Sequence, residues 1–362
     1  MSKFKVYVYA ICKNEEKFVD RWVESMKEAD GIYVLDTGSV DNSVDKLKEL
    51  GVNVKCEVID PWRFDVARNK SLEMVPDDAD ICVCTDLDEV FDKGWRMALE
   101  SVWSNDVTRG AYNYNWHYDK NGNPDVSFNI EKIHARSNYK WTHPVHEVLT
   151  YLGNSENKIF IPILLKHYPD KEKSRSSYLK LLEISVVEDP DDDRNMHYLG
   201  REYMYYGEYN KAIDTLINHL KLPRATWKDE RCASMRFIAR CYKYLNRYDE
   251  SKIWLEKSIK EAPYLRDGYM EMALLYYNMN EFDKVIYYVL MALKIKDKSN
   301  SYINEVFSWN YTPYDLLSIA LYNIGEIEAS YLFSKKALEY NPDDERLKSN
   351  YSLLKKMVEG NS

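Results

Sequence analysis

Two carboxylates in Thr85-Asp86-Leu87-Asp88-Glu89 directly follow an apolar run, Ile81-Cys82-Val83-Cys84, in a chain of 362 residues. A short apolar run bounded by polar residues predicts a buried strand, so Asp86 and Asp88 fall where the chain leaves the interior. Carboxylates two apart on extended backbone share a face. Hard oxygen donors so placed can hold Mg2+ or Mn2+ against substrate phosphates; a solvated turn is the other reading of a D-x-D. Asp36 ends a second apolar stretch and opens Asp36-Thr37-Gly38-Ser39. A carboxylate there can accept from a nucleobase N–H while Gly38 lets the backbone turn closely, with an Asx turn as the alternative. Arg68, in Phe64-Asp65-Val66-Ala67-Arg68-Asn69-Lys70, can reach a base or phosphates, or form a surface ion pair. His143 and His146 in Trp141-Thr142-His143-Pro144-Val145-His146-Glu147 suit metal ligation or proton transfer near neutral pH, or packing beside Trp141.

Alternating strands and helices are needed to position these groups. Val6–Ile11, Gly31–Asp36, Val52–Val58 and Ile81–Thr85 read as strands. Between them Glu15–Glu28, Ser43–Leu50 and Phe64–Met74 read as helices, the first with Phe18, Val19, Trp22, Val23 and Met26 at helical spacing. This order predicts a Rossmann-like α/β domain with a mostly parallel sheet and ligands at the carboxyl ends of its strands. Gly110–Tyr118 and Ser127–Ala135, around the turn Asn121-Gly122-Asn123-Pro124, predict an antiparallel hairpin, and Ile159–His167 a further strand. After Asp170 the chain consists of helix formers. From about Asp191 it repeats itself: Tyr209, Tyr248, Phe282 and Ile327 are anchors of similar segments, 39, 34 and 45 residues apart by their numbers. Paired helices with this period resemble tetratricopeptide repeats, whose stacking forms a groove. Partner recognition and a scaffolding or dimerising role, as in a homodimer, are the two uses of such a region.

Composition narrows the class. The chain is 45% apolar and 30% charged, and its net charge of −9 disfavours a nucleic-acid partner, which calls for clustered Lys and Arg. No apolar run approaches the ~18 residues of a membrane span. The six cysteines show no zinc-like spacing and fit a reduced, cytoplasmic protein.

Taken together, Ala10-Ile11-Cys12-Lys13-Asn14-Glu15-Glu16, Leu35-Asp36-Thr37-Gly38-Ser39, Trp62-Arg63-Phe64-Asp65-Val66-Ala67-Arg68-Asn69 and Asp86-Leu87-Asp88 resemble a family-2 glycosyltransferase of GT-A fold. His143-Pro144-Val145-His146-Glu147 is similar to the segment of one branch, which includes bacteriocin S-glycosyltransferases and lipopolysaccharide-core transferases. The bacteriocin enzymes also carry a helical repeat domain behind the catalytic one. The resemblance covers residues 4–170 and, beyond them, the architecture alone. It implies a GT-A catalytic domain at 1–170, a linking helix at 171–190 and a repeat domain at 191–362. It further implies a UDP-sugar donor, with Asp36 and Arg68 at uracil, Ala10 and Glu15 at the nucleotide, and Asp86 and Asp88 at the ribose and a Mn2+ or Mg2+ ion. His146 is implied as a further metal or diphosphate contact and Glu147 as general base, for which His143 or Asp119 could substitute. Trp116 is an acceptor-side candidate.

The expected activity is therefore inverting, metal-dependent sugar transfer to a peptide, protein or glycan. Alternatives are transfer to a modified DNA base and a non-catalytic nucleotide-sugar-binding repeat scaffold. A nucleotidyltransferase would need a glycine-rich triphosphate loop where Cys12-Lys13-Asn14-Glu15 stands.

Overall fold

Strand β1 (Val6–Cys12) is buried on both faces. Val6, Val8, Ala10 and Cys12 point into one core with Phe18, Val19, Trp22, Val23 and Met26 of α1 (Glu16–Met26). Tyr9 points the other way, into a second core with Leu72, Cys82, Cys84 and Trp141. The alternation is that of a strand covered by helices on each side. β2 (Gly31–Asp36), α2 (Ser43–Glu49), β3 (Asn53–Cys56), α3 (Phe64–Glu73) and β4 (Ile81–Cys84) complete a parallel half of order β3-β2-β1-β4. β4 divides its side chains likewise, Ile81 and Val83 to the first core and Cys82 and Cys84 to the second.

The chain continues through β5 (Glu89–Phe91), α4 (Trp95–Val102), β6 (Arg109–Tyr118), β7 (Pro124–Ala135), β8 (Tyr139–Thr142), β9 (Val148–Tyr151) and β10 (Lys158–His167). The eight-stranded sheet extends from β4 as β7-β6-β10-β5, with β7 antiparallel to β4 and β6, β10 parallel to β6, and β5 antiparallel to β10. β8 and β9 form a separate antiparallel pair. The predicted α/β domain is present, and its parallel half carries the candidate site.

This computed structural model describes residues 3–119, 122–170, 178–299 and 301–360, and the chain divides into two units, Met1–Ser185 and Val186–Ser362. Asn121 of the expected turn and residues 171–177 of the expected linking helix lie outside the described residues. Helix α5 (Tyr178–Glu188) spans the division.

The regular elements described in the second unit are all helices: α6 (Asp193–Tyr205), α7 (Tyr209–Lys221), α8 (Lys228–Tyr244), α9 (Tyr248–Glu261), α10 (Arg266–Asn278), α11 (Phe282–Lys294), a 3-10 turn at Val306–Ser308, α12 (Thr312–Asn323), α13 (Ile327–Tyr340) and α14 (Glu345–Gly360). These form tetratricopeptide-like hairpins α6/α7, α8/α9, α10/α11 and α12/α13. One left-handed residue closes the first helix of each, namely Gly207, Asn246, Asn280 and Gly325, at φ 77°, 59°, 58° and 89°. Gly and Asn are the residues that accept this conformation most readily. At Gly200 a Cβ would collide with Leu216, so the absent side chain sets how closely α6 approaches α7. No described helix is long and apolar enough to cross a membrane. All six cysteines are unpaired.

Candidate active site

The carboxyl ends of β1, β2 and β4 lie along one edge of the sheet because the three strands are parallel neighbours. Thr37 joins the first two, its N–H and Oγ1 donating to the Cys12 carbonyl at 2.8 and 3.0 Å. Asp36, 2% exposed, uses Oδ1 to accept from the Gly38 and Ser39 amides at 3.0 Å each, while Oδ2 accepts from the Ser39 hydroxyl. Gly38 is left-handed at φ 108°, which lets the amides fold back onto the carboxylate. With about four acceptor positions on a carboxylate, one position on Oδ2 stays available. Ala10 is buried in the middle of the sheet opposite Val34, so what it can offer a ligand is backbone shape. Buried Glu15 sits just before α1, its amide donating to Ser43 Oγ at 2.8 Å.

At the end of β4, Thr85 is buried and accepts from Trp22 Nε1 at 3.0 Å. The chain then turns: the Glu89 amide donates to the Asp86 carbonyl at 3.0 Å, and the Asp86 amide to Glu89 Oε2 at 2.8 Å. Asp86 and Asp88 therefore do not extend along a strand as their spacing predicts, and they meet different partners.

Asp86 belongs to a chain of alternating charge. Arg68 Nη2 donates to its Oδ1 at 2.5 Å and Arg68 Nε to Glu147 Oε1 at 2.9 Å, so one guanidinium bridges two carboxylates. Lys132 of β7 reaches Asp86 Oδ2 at 3.2 Å and Glu89 Oε1 at 3.4 Å, and Tyr114 donates to Glu89 Oε1 at 2.7 Å. Burial pushes the Asp86 carboxyl up, but Arg68 and Lys132 outweigh it and hold the group well below the usual carboxylate range. Glu89 is instead raised by burial, with Asp86 and Asp88 adding to the rise. At Lys132 burial pulls the pKa down, but Asp86 and Glu89 outweigh it and raise it.

Asp88 is different. No lysine or arginine pairs with it among the described residues; its partner is His167 Nε2, 3.3 Å from Oδ2. His167 ends β10, stacks on Trp116 at 4.3 Å with 16° between ring planes, and donates Nδ1–H to the Trp116 carbonyl at 3.0 Å. That bond leaves Nε2 as the ring's acceptor in the neutral form, directed at Asp88. Burial lowers the His167 pKa, but Asp88 outweighs it and the net shift is upward.

Glu147 reaches Arg68 from the loop joining β8 to β9. This hairpin docks through Asn69 of α3, whose side chain donates to the Trp141 carbonyl at 2.8 Å and accepts from its amide at 2.9 Å, as a neighbouring strand would. Phe64 N–H donates to the Pro144 carbonyl at 2.9 Å. His143 and His146 occupy left-handed positions in this loop, at φ 75° and 52°, and the His146 ring packs edge-on against Tyr178 at 5.7 Å. Asp119 accepts from the Asn123 amide at 2.8 Å in the β6–β7 turn.

The structure thus joins Arg68, Asp86 and Glu147 in one network and sets Asp88 beside them with His167. Asp36 and Glu15 occupy the same sheet edge in separate hydrogen-bond sets. Asp86, Asp88 and His146 are not drawn into a three-ligand cluster among the described residues. Lys132, Glu89, Tyr114 and His167 were not singled out from the sequence. Ile130-Glu131-Lys132-Ile133 breaks the two-residue period, and the pairing of β6 with β7 shifts register between Gly110–Ile133 and Tyr112–Ile130, so the local sequence carries no signal for Lys132. For a divalent cation the donor set favours Asp88: Asp86 already faces two cations, whereas Asp88 presents an oxygen-rich, part-exposed carboxylate with an oriented imidazole beside it.

Residues 7–140 match the family model described as Glycosyl transferase family 2. No curated protein matches the chain. Among solved structures it is similar to the MamA protein, at 20% identity and a TM-score of 0.37, over 46% of this chain and 82% of that one. It is also similar to a thermophilic TPR protein in Thermus thermophilus, at 17% identity and a TM-score of 0.36, over 49% and 89%. A tetratricopeptide repeat protein from Parabacteroides merdae is similar at 19% identity and a TM-score of 0.37, over 49% and 64%.

Proposed function

We propose that the first unit transfers a sugar, with inversion, from a UDP-linked donor in the presence of Mn2+ or Mg2+. Glycosyl transfer as such is what the match over residues 7–140 supports; the observation favouring metal dependence is Asp88, a carboxylate at the strand edge with no cationic side chain of fixed charge on it. In this reading Asp36 Oδ2 accepts from the uracil imino N–H, and the Asp86–Arg68 pair faces the ribose and base. Asp88 and His167 hold the cation, which would supply charge stabilisation to the departing diphosphate. Glu147 has one oxygen anchored by Arg68, which orients the other; that atom takes the acceptor proton, with His143 as the alternative base. Helical hairpins present side chains suited to protein recognition, which favours a peptide or protein acceptor over a glycan.

Asp88→Asn tests the proposal. Metal-stimulated UDP-sugar hydrolysis and transfer should fall about 100-fold or more, the order expected when charge stabilisation of a leaving group is removed. The melting temperature should stay near that of the parent, since Asp88 contributes one side-chain ion pair. Undiminished turnover by Asp88→Asn in EDTA would refute the metal role. Binding of UDP-sugars without turnover under any metal would point to the non-catalytic scaffold.

A further inference from the structure

The second unit contains a cluster that plays no part in the chemistry above. Asp193 is the first residue of α6, His219 lies in the last turn of α7, and Glu230 lies in the first turn of α8. One ligand atom from each falls within 4.8 Å of the others. Asp192 serves as the helix cap, accepting from the Asn195 amide at 2.7 Å, so Asp193 is not needed for capping.

His219 supplies the second observation. It is 0% exposed, and its Nε2 makes no hydrogen bond among the described residues; Glu230 Oε1 stands 3.4 Å away. Its other nitrogen is fixed. Nδ1 lies 2.9 Å from Ser234 Oγ, which in turn lies 2.7 Å from His197 Nδ1. A hydroxyl has one proton to give, so the relay runs in one of two directions. When His219 Nδ1–H donates to Ser234 and Ser234 donates to His197, Nε2 carries a lone pair directed at the two carboxylates. Hydrogen bonding at the remote nitrogen is the usual way a histidine ligand is oriented. Glu230 Oε2 accepts from Tyr302 at 3.1 Å, which leaves Oε1 on the side of His219. The competing cation is Arg194, whose positive charge Glu230 helps to favour.

We propose that Asp193, His219 and Glu230 form a site for a first-row divalent transition cation, Zn2+ foremost, with water as the fourth ligand, clasping the ends of α6, α7 and α8. One imidazole and two carboxylates are zinc-class donors, and bonds of about 2.1 Å need the three atoms to draw together by about 1 Å. No thiolate is involved, since Cys232 Sγ is turned to the Ser258 carbonyl at 3.3 Å. The alternative is the relay run the other way, in which Ser234 donates to His219 Nδ1 and the ring's proton sits on Nε2 facing Glu230, which binds no metal.

Co2+ titration of the chelator-treated full chain separates the two. In the Asp88→Asn background, one equivalent of Co2+ should give the visible absorption of a four- or five-coordinate ion, displaced by Zn2+, and Zn2+ should raise the melting temperature by several degrees. Adding Asp193→Asn should weaken binding about 10- to 100-fold or abolish it, and remove the thermal shift. His219→Gln should do the same; should that variant not fold, Asp193, part-exposed at a helix start, carries the test. Co2+ spectra unchanged by Asp193→Asn, or no Zn2+ effect on melting in the Asp88→Asn protein, would overturn the proposal.

Discussion

Arg68 is the more buried of two cations that each face a pair of acids at the candidate site: its guanidinium meets Asp86 and Glu147 at once while itself 3% exposed. Arg68→Met removes the cation, taking the Arg68 contact from Glu147 and leaving Asp86 with Lys132 alone. The expected cost is about 3 kcal/mol, the lower end of the range for breaking a buried pair, since the Asp86 side chain keeps 35% of its exposure. Arg68→Lys restores a charge but presents a single point donor, so it should recover part of that loss. Denaturant midpoints measure both; a wild-type midpoint for Arg68→Met would show the pairing to be stability-neutral. Arg68, Asp86 and Asp88 stand out in the sequence because each belongs to a short motif beside an apolar run, whereas Glu147 is reached only through the family resemblance. Lys132 and His167 do not stand out, because their nearness to the acids depends on pairing between remote strands. Val83 stands opposite Ile133 across β4 and β7, and Glu89 opposite His167 across β5 and β10. No local pattern carries that information.

At the level of elements, the parallel half was legible almost residue by residue, since covered strands and amphipathic helices write their period into the sequence. β5 and α4 escaped notice. Glu89-Val90-Phe91 is too short to show a period and is a strand because β10 pairs with it; α4 starts from left-handed Gly94, φ 86°, and turns Trp95 and Leu99 inward. The β8–β9 hairpin is likewise fixed from outside, by Asn69 and by a buried chain in which Trp141 Nε1 donates to Tyr9 OH at 2.9 Å and Tyr9 donates to His134 Nε2 at 2.8 Å. That chain has a pH consequence. Burial pulls the His134 pKa down to about 3, so the folded protein stays unprotonated there while the unfolded chain takes up a proton near pH 6.5. Stability is then complete above about pH 6.5 and falls by about 1.4 kcal/mol per unit as pH drops toward the folded value. His134→Gln should flatten this limb of the denaturation midpoint plotted against pH. An equally steep limb in the variant would assign the acid sensitivity to other groups.

On the scale of the whole molecule, two units with separate cores should unfold in two steps. Calorimetry of the full chain should resolve them, and UDP-sugar with Mn2+ should raise the step belonging to residues 1–185 while leaving the other in place, as expected when a ligand binds one folded unit. Equal displacement of both steps would mean that the units melt as one. Burial also sorts the cysteines. Cys12 and Cys82 are pushed up to about 12 and Cys84 to about 11, and Cys232 and Cys241 are buried as well, whereas Cys56 is exposed at the end of β3. Cys56 is also in register with Asp36. The unmodified protein therefore offers one thiol to a maleimide dye, hung beside the carboxylate assigned to the nucleobase, and occupancy of that sheet edge can be followed by fluorescence without introducing or deleting a cysteine.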